Sequence, residues 1–135
     1  MSKTITIACE TKNLPKVRKF IGDILLRNEL DEVESHKVIL AVDEICANLI
    51  IHANHSDPSK NLEVGVDVDP ANVVFTIKDR GESFDITKYK EPSMDKIINT
   101  GRKGGLGLIL VRRIMDNIEF STEKNCNICR LVKKL

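Results

Sequence analysis

The chain has 135 residues, the length of one domain, and its 41% hydrophobic and 30% charged residues fit a globular protein. The net charge of +1 argues against a nucleic-acid-binding protein, which usually carries a basic excess or stripe. No apolar run is long enough to cross a bilayer, and the N-terminus lacks the apolar stretch of a secretory signal. We therefore expect a cytoplasmic protein that binds neither membranes nor nucleic acid directly.

The first half of the chain predicts one strand followed by two helices. Alternating Thr and Ile residues predict a strand from Lys3 to Cys9. Asn13 is expected to cap the first helix, which should end near Asn28. Asp31, with a glutamate three residues later, resembles a capping box at the start of the second helix. Apolar residues at helical spacing extend this second helix to a predicted end near His55.

The second half predicts two hairpins with a long connection and a helix between them. The predicted segments are strands at Leu62 to Val68 and Val73 to Lys78, a connection at about 86 to 103, a helix at Leu106 to Met115, and strands at Ile118 to Thr122 and Ile128 to Val132. Long connections of this kind often act as lids. This order predicts a single α+β domain over residues 1–135, a two-layer sandwich with a mixed, mostly antiparallel sheet and its helices on one face.

Four cysteines occur in the chain, and two of them have the C-x-x-C spacing of redox and zinc sites. These two, Cys126 and Cys129, lie in a predicted strand, where residues three apart face opposite sides of the sheet. The chain has no second C-x-x-C pair to complete a zinc site. We therefore predict reduced thiols in a cytosolic protein.

A carboxylate and an amide share one face of the second predicted helix. Glu44 and Asn48 are four residues apart, so their side chains project from the same side. A carboxylate there can accept a proton from an attacking hydroxyl or water, and an amide oxygen is a hard ligand suited to Mg²⁺. The same spacing also fits an ordinary exposed polar stripe, so this pair alone decides nothing.

An aspartate ends the strand that precedes the long connection. Asp79 is followed by Arg80 and Gly81. A short, fixed carboxylate can accept a hydrogen bond from an exocyclic amine such as the 6-amino group of adenine. A glycine would let the backbone approach a planar base closely. The alternative is a simple turn at the end of a strand, which is a common use of this sequence pattern.

A glycine-rich segment opens the third predicted helix. The segment is Gly104-Gly105-Leu106-Gly107-Leu108, preceded by Arg102 and Lys103. Glycines allow backbone amides to turn toward phosphate oxygens, and the N-terminus of a helix favours anions. Either basic side chain could neutralise a terminal phosphate. The segment matches neither a Walker A loop nor a Rossmann fingerprint.

Together these three signatures resemble the N, G1 and G2 boxes of the GHKL ATPase superfamily, whose nucleotide site is called the Bergerat fold. The resemblance extends from about Thr4 to Leu135. Within the superfamily, the short chain is similar to the RsbW-type anti-sigma factors, which are serine-protein kinases. The resemblance implies a histidine-kinase-like ATPase fold that uses ATP and Mg²⁺, with a lid at about 86 to 103 closing over the nucleotide.

The resemblance also implies roles for individual residues. Glu44 would be the catalytic base, Asn48 would bind Mg²⁺ and Asp79 would read adenine. The remaining nucleotide-binding positions would be Gly81, Lys103, Gly104, Gly105, Leu106, Gly107 and Leu108. Relatives often carry a threonine on the final strand that supports the adenine site, and in this chain Arg130 is expected there.

The implied biology is partner switching. Proteins of this type form homodimers, hold a sigma factor away from RNA polymerase and phosphorylate a serine of a STAS-type anti-anti-sigma protein. Three other interpretations remain open: an ATP-dependent binding protein with little or no kinase activity, a detached histidine-kinase catalytic domain, and a scaffold that has lost nucleotide binding. His36 is a poor phosphoacceptor because it lies near the start of the helix that carries Glu44.

Overall fold

In the computed structural model the described residues are 2–80 and 103–135, and for residues 103–108 the description covers the backbone alone. Gly81 and most of the expected lid lie outside these ranges. The elements are β1 (Ser2–Ala8), a 3-10 turn (Thr11–Asn13), α1 (Leu14–Arg27), α2 (Glu32–Asn48), a π-helical turn (Leu49–Ala53), β2 (Asn61–Val68), β3 (Asn72–Asp79), α3 (Lys103–Ile114), β4 (Asn117–Glu123) and β5 (Cys126–Lys134).

The five strands form one sheet in the order β1-β2-β3-β5-β4. All four neighbouring pairs are antiparallel, so the described sheet is more uniform than the mixed sheet that we expected. The central strand β3 pairs with β2 on one side and with β5 on the other. The predicted α+β class and the order of the elements are confirmed.

One face of the sheet packs against the helices. Alternate residues of β2, β3 and β5 point into a single apolar core that also receives the buried faces of α1, α2 and α3. Residues that are fully buried in this core include Val17, Ile21, Val42, Leu49, Leu62, Phe75, Ile77 and Leu131. The opposite face carries polar side chains such as those of Thr4, Glu63 and Arg130. The helices therefore cover one face of the sheet, as predicted.

The starts of the three helices differ in how well the sequence predicted them. Asp31 caps α2 as expected, since its Oδ2 accepts a hydrogen bond from the Glu34 backbone N–H at 3.2 Å. Asn13 does not cap α1, because a 3-10 turn precedes the helix and the Asn13 amide donates to the Ala8 carbonyl at 3.0 Å. The described part of α3 extends to Lys103, so the helix includes at least three residues before the predicted start at Leu106.

The four cysteines are free thiols. Cys129 is buried in the core, whereas Cys126 is half-buried at the start of β5, and their separation by three residues places them on opposite faces of the strand. The predicted placement of the C-x-x-C pair on opposite faces of a strand is confirmed. Across residues 2–80 and 103–135, the helices are all too short or too polar to cross a membrane.

Candidate functional site

Helix α2 presents Glu44 and Asn48 side by side, as the four-residue spacing predicted. The Nδ2 group of Asn48 donates to Oε1 of Glu44 at 3.4 Å. Asn48 is 7% exposed and Glu44 is half-buried. Because the nitrogen of the amide faces Glu44, the Oδ1 atom of Asn48 is directed elsewhere and can serve as an oxygen ligand.

The environment of Glu44 favours its protonated form. Burial raises the pKa of the Glu44 carboxyl, and the neighbouring charge of Asp43 raises this pKa further, while the hydrogen bond from Asn48 opposes both. Asp43 itself forms an ion pair with Arg18 of α1, with 2.8 Å between Nη1 and Oδ1. A carboxylate whose pKa is raised from its ordinary value is better matched to proton transfer near neutral pH.

The end of α2 contains a feature that the sequence did not reveal. After Asn48 the chain widens into the π-helical turn Leu49–Ala53, which ends with a hydrogen bond from the Asn54 backbone N–H to the Leu49 carbonyl at 3.0 Å. Single π-helical turns are frequent at functional sites. His55 and Ser56 follow with φ values of 53° each, a left-handed conformation that turns the chain toward β2.

The turn places the side chain of Asn54 against Asp79. Asn54 is fully buried, and its Nδ2 group donates to the Leu49 carbonyl at 2.8 Å and to Oδ1 of Asp79 at 3.3 Å. Asp79 is the last residue of β3, is 3% exposed, and belongs to the alternate residues that face the helices. The helical segment that carries Glu44 and Asn48 is therefore joined to Asp79 by a direct side-chain hydrogen bond.

A second asparagine contacts Asp79 from the other side. Asn127 lies opposite Asp79 in the pairing of β3 with β5, and its Nδ2 group donates to Oδ1 of Asp79 at 3.3 Å. The Oδ1 atom of Asn127 accepts a hydrogen bond from the Thr122 hydroxyl of β4 at 3.2 Å. Two amides thus converge on one oxygen of the Asp79 carboxylate.

The expectation that Arg130 occupies the position of the final strand next to the adenine site is wrong. Arg130 pairs with Thr76 of β3, three positions away from Asp79 along the strand, and its side chain is on the outer face of the sheet. There its guanidinium forms an ion pair with Glu119 at 3.5 Å. The residue of the final strand that contacts Asp79 is Asn127. Asn127 and Arg130 differ by three positions, which is why they face opposite sides of the sheet.

Three buried thiols surround this part of the core. Burial is the main cause of the raised pKa of Cys9, and burial raises the pKa of Cys129 to about 12. The charge of Asp79 raises both pKa values further. Burial also raises the pKa of Cys46. These cysteines stay protonated at neutral pH and act as small apolar groups rather than as nucleophiles or metal ligands.

The glycine-rich segment belongs to α3, a helix that contacts α2. Residues 103–108 form the first turns of α3, which packs along α2. The segment is therefore part of α3 and does not form a separate loop before that helix. The predicted residues in it are Lys103, Gly104, Gly105, Leu106, Gly107 and Leu108, and the structure places their backbones at the N-terminus of α3, where a helix favours bound anions.

A cavity of about 570 Å³ opens at the end of the sheet where Asp79 lies. Its lining includes Ser59, Lys60, Lys78, Asp79 and Arg80. Glu44 and Asn48 do not line this cavity. It therefore adjoins the candidate site at Asp79 and does not enclose it. In the described part of the chain, no group of three or more His, Cys, Asp or Glu side chains is arranged to hold a metal ion.

The family model described as "Histidine kinase-like ATPase domain" matches residues 7–133, which is nearly the whole chain. The chain belongs to the histidine kinase-like ATPase domain family. The superfamily expected from the three signatures is therefore confirmed.

The curated relatives of this ATPase domain include bacterial proteins named serine-protein kinase RsbW. The chain is 31% identical to the one from Halalkalibacterium halodurans over 123 residues, which cover 82% of this chain and 74% of that protein. It is 30% identical to the one from Oceanobacillus iheyensis over 97 residues, which cover 69% of this chain and 60% of that protein. The chain thus spans about three-fifths of the Oceanobacillus kinase. The similarity to RsbW-type proteins expected from the sequence is confirmed.

A solved structure shares the fold of this ATPase domain. The crystal structure of the RsbU and RsbW domains of a Mycobacterium tuberculosis protein superposes with a TM-score of 0.71 at 15% identity, covering 100% of this chain and 32% of that one. At this identity the match bears on the fold alone. It agrees with the described arrangement of five strands and three helices.

Proposed function

We propose that this chain, as a single ATP-binding domain over residues 1–135, is a serine-protein kinase that also acts as an anti-sigma factor. It transfers the γ-phosphoryl group of ATP to a serine of a STAS-type anti-anti-sigma protein. The observation that carries the proposal is the buried Asp79 carboxylate, held by Asn54 and Asn127 in a chain of the ATPase family. The name shared by the curated relatives supports the choice of serine as acceptor.

Asp79 is proposed to select the base. A carboxylate oxygen accepts a hydrogen bond from the 6-amino group of adenine, whereas the 6-oxo group of guanine is itself an acceptor and would be repelled. The carboxylate is 3% exposed, so an incoming base would meet it in a site that excludes most water. Electrostatic contacts are stronger in such an environment than in solution. Gly81 is proposed to line the same pocket.

Glu44 is proposed to act as the general base. The serine hydroxyl attacks the γ-phosphorus, the bond between that phosphorus and the β,γ-bridging oxygen breaks, and ADP leaves with the bridging oxygen. The proton of the hydroxyl passes to the Glu44 carboxylate, whose raised pKa suits this role. Most of the catalysis in such a transfer comes from positioning and from neutralising charge.

The residues present fit a bound Mg²⁺ ion. The Oδ1 atom of Asn48 is a hard oxygen ligand, and its orientation is set by the Asn48–Glu44 hydrogen bond at 3.4 Å. Mg²⁺ usually binds through one or two protein oxygens plus the phosphates of the substrate, so a single amide is a sufficient protein contribution. When bound, the ion neutralises charge on the phosphates. The backbone of Gly104, Gly105, Leu106, Gly107 and Leu108, together with Lys103, is proposed to hold the phosphates.

The proposed partners are a sigma factor and a STAS-type protein, and the proposed assembly is a homodimer in the cytoplasm. These follow from the resemblance to RsbW-type anti-sigma factors, and the name RsbW of the relatives supports that resemblance. The lid expected at about 86 to 103 is proposed to close over ATP.

The test is transfer of label from γ-labelled ATP to STAS-type proteins of the source genome, with purified chain and Mg²⁺. We expect label on a serine of one acceptor, and label that appears about 10²-fold to 10⁴-fold more slowly when the Glu44→Ala variant replaces the wild type. If an acceptor binds in the presence of ATP and remains unlabelled, the chain is an ATP-dependent binding protein and the kinase proposal fails.

A further inference from the structure

The side chain of Asn54 has a fixed orientation. Its Nδ2 group carries two hydrogens, and both have acceptors: the Leu49 carbonyl at 2.8 Å and Oδ1 of Asp79 at 3.3 Å. The flipped amide would place an oxygen against two other oxygens, which excludes that orientation. Asn54 is therefore a donor to Asp79, held in place by the carbonyl at the start of the π-helical turn.

This orientation of the Asn54 side chain lowers the stability of the folded protein. The Oδ1 atom of Asn54 is buried and has no hydrogen-bond partner among the described residues. A buried acceptor without a partner costs stability, and buried polar atoms of this kind call for an explanation beyond packing. The left-handed backbone of His55 and Ser56 directly after Asn54 adds local strain. Unsatisfied groups and strain of this type cluster at functional sites.

We propose that Asn54 is a positioning residue for base recognition, an inference that rests on the proposed ATP site. Asn54, after the π-helical turn, and Asn127, on β5, both donate to Oδ1 of Asp79 at 3.3 Å and thereby restrict rotation of the carboxylate. A carboxylate in a fixed plane distinguishes a 6-amino purine from a 6-oxo purine more sharply than one that can rotate. Asn54 thus sets the preference for adenine without touching the base.

The test compares two nucleotides in two proteins. Dissociation constants for ATP and for inosine triphosphate, which carries oxygen in place of the 6-amino group, are measured by calorimetry on the wild type and on Asn54→Ala. We expect the wild type to prefer ATP. In Asn54→Ala, ATP binding should weaken about tenfold while inosine triphosphate binding stays nearly constant, because only the contact to the amino group depends on Asp79.

Asn28 offers a matched control. Its Nδ2 group donates to the Ile24 carbonyl, four residues back, at 2.8 Å at the end of α1, and Asn54 makes a similar bond to the Leu49 carbonyl five residues back. Asn28→Ala should leave the ratio of the two dissociation constants unchanged. A purely structural role of Asn54 would weaken both nucleotides equally, and an unchanged ratio in Asn54→Ala would overturn the inference while leaving the ATP site intact.

Two further observations separate this inference from the proposed function. If the wild type binds neither nucleotide at millimolar concentration, the ATP site itself is wrong and the inference falls with it. If Asn54→Ala does not fold, Asn54→Ser and the NMR signal of the Asn54 side-chain amide in the wild type replace it. That signal should shift on addition of ATP and much less on addition of inosine triphosphate. Equal shifts with both nucleotides would contradict the inference.

Discussion

At the scale of single residues, the site depends on a carboxylate whose surroundings are unusually well defined. Asp79 is 3% exposed, and one of its oxygens receives both amide donors, from Asn54 and from Asn127. Neither donor is charged, so neither of them forms a salt bridge with the carboxylate.

Replacing Asp79 with asparagine should weaken ATP binding by about tenfold to a hundredfold, because an amide in that position no longer offers a charged acceptor to the adenine amine. Calorimetry measures the change. Asp67→Asn provides the control, since Asp67 lies on the exposed face of β2. Equal ATP affinity in Asp79→Asn and the wild type would remove Asp79 from base recognition.

Replacing Glu44 with alanine should leave ATP binding nearly intact and slow phosphoryl transfer by about 10²-fold to 10⁴-fold, the usual contribution of a general base. Single-turnover transfer with labelled ATP gives the rate. Glu32→Ala, an exposed glutamate in the first turn of the same helix, serves as the control. Transfer at the wild-type rate in Glu44→Ala would show that Glu44 is not the base.

The transfer rate should also depend on pH through Glu44. The base must be deprotonated to accept a proton, so the rate falls as pH drops through the pKa of Glu44 in the folded protein. Burial raises that pKa, which places the acidic limb above the ordinary glutamate value of about 4.3. The folded state then holds this proton more tightly than the unfolded chain, so Glu44 lowers stability above its folded pKa. An acidic limb at or below the ordinary value would contradict the assignment.

At the scale of elements, the parts of the site that could be predicted are those set by local periodicity. Glu44 and Asn48 share a face because helical spacing requires it, and Asp79 ends a strand because alternation stops there. The position of Asn54 could not be predicted, because nothing in the sequence of Leu49–Ala53 distinguishes a π-helical turn from another α-helical turn.

The register of the final hairpin, β4 with β5, could not be predicted from the sequence either. Lys124 and Asn125 adopt φ values of 47° and 65°, the conformation of a tight two-residue turn, so β4 and β5 extend to Glu123 and Cys126. The sequence predicted shorter strands and a longer turn, which left the register open. A strand shifted by one residue exposes the opposite set of side chains. Only the pairing of Asp79 with Asn127 identifies the supporting residue.

The cap of α2 leads to a prediction at this scale. Asp31→Ala removes the 3.2 Å hydrogen bond to the Glu34 backbone and should lower the free energy of unfolding by about 1 kcal/mol. Chemical denaturation measures the loss. The same substitution at Asp23, an exposed position inside α1, should not destabilise the protein. A smaller loss in Asp31→Ala than in Asp23→Ala would show that the cap contributes nothing.

At the scale of the whole molecule, the helical layer and the sheet contribute different residues to the candidate site. The helices supply Glu44, Asn48 and the N-terminus of α3, while the sheet supplies Asp79 and Asn127, and the side chain of Asn54 joins the layers. The α+β class was predictable because hairpins and amphipathic helices are local patterns. The order of the strands was not, because it depends on contacts between distant segments. Membership of the ATPase family agrees with the α+β class.

The measurement that tests the central claim most directly is calorimetry of ATP binding to the purified chain, with and without Mg²⁺. The account predicts micromolar binding that Mg²⁺ strengthens, since Asn48 is proposed to hold the ion against the phosphates. The Asn48→Ala variant should lose the effect of Mg²⁺ and keep the weaker binding seen without it. No binding of ATP to the wild type at millimolar concentration would contradict the account, and the kinase proposal would be abandoned.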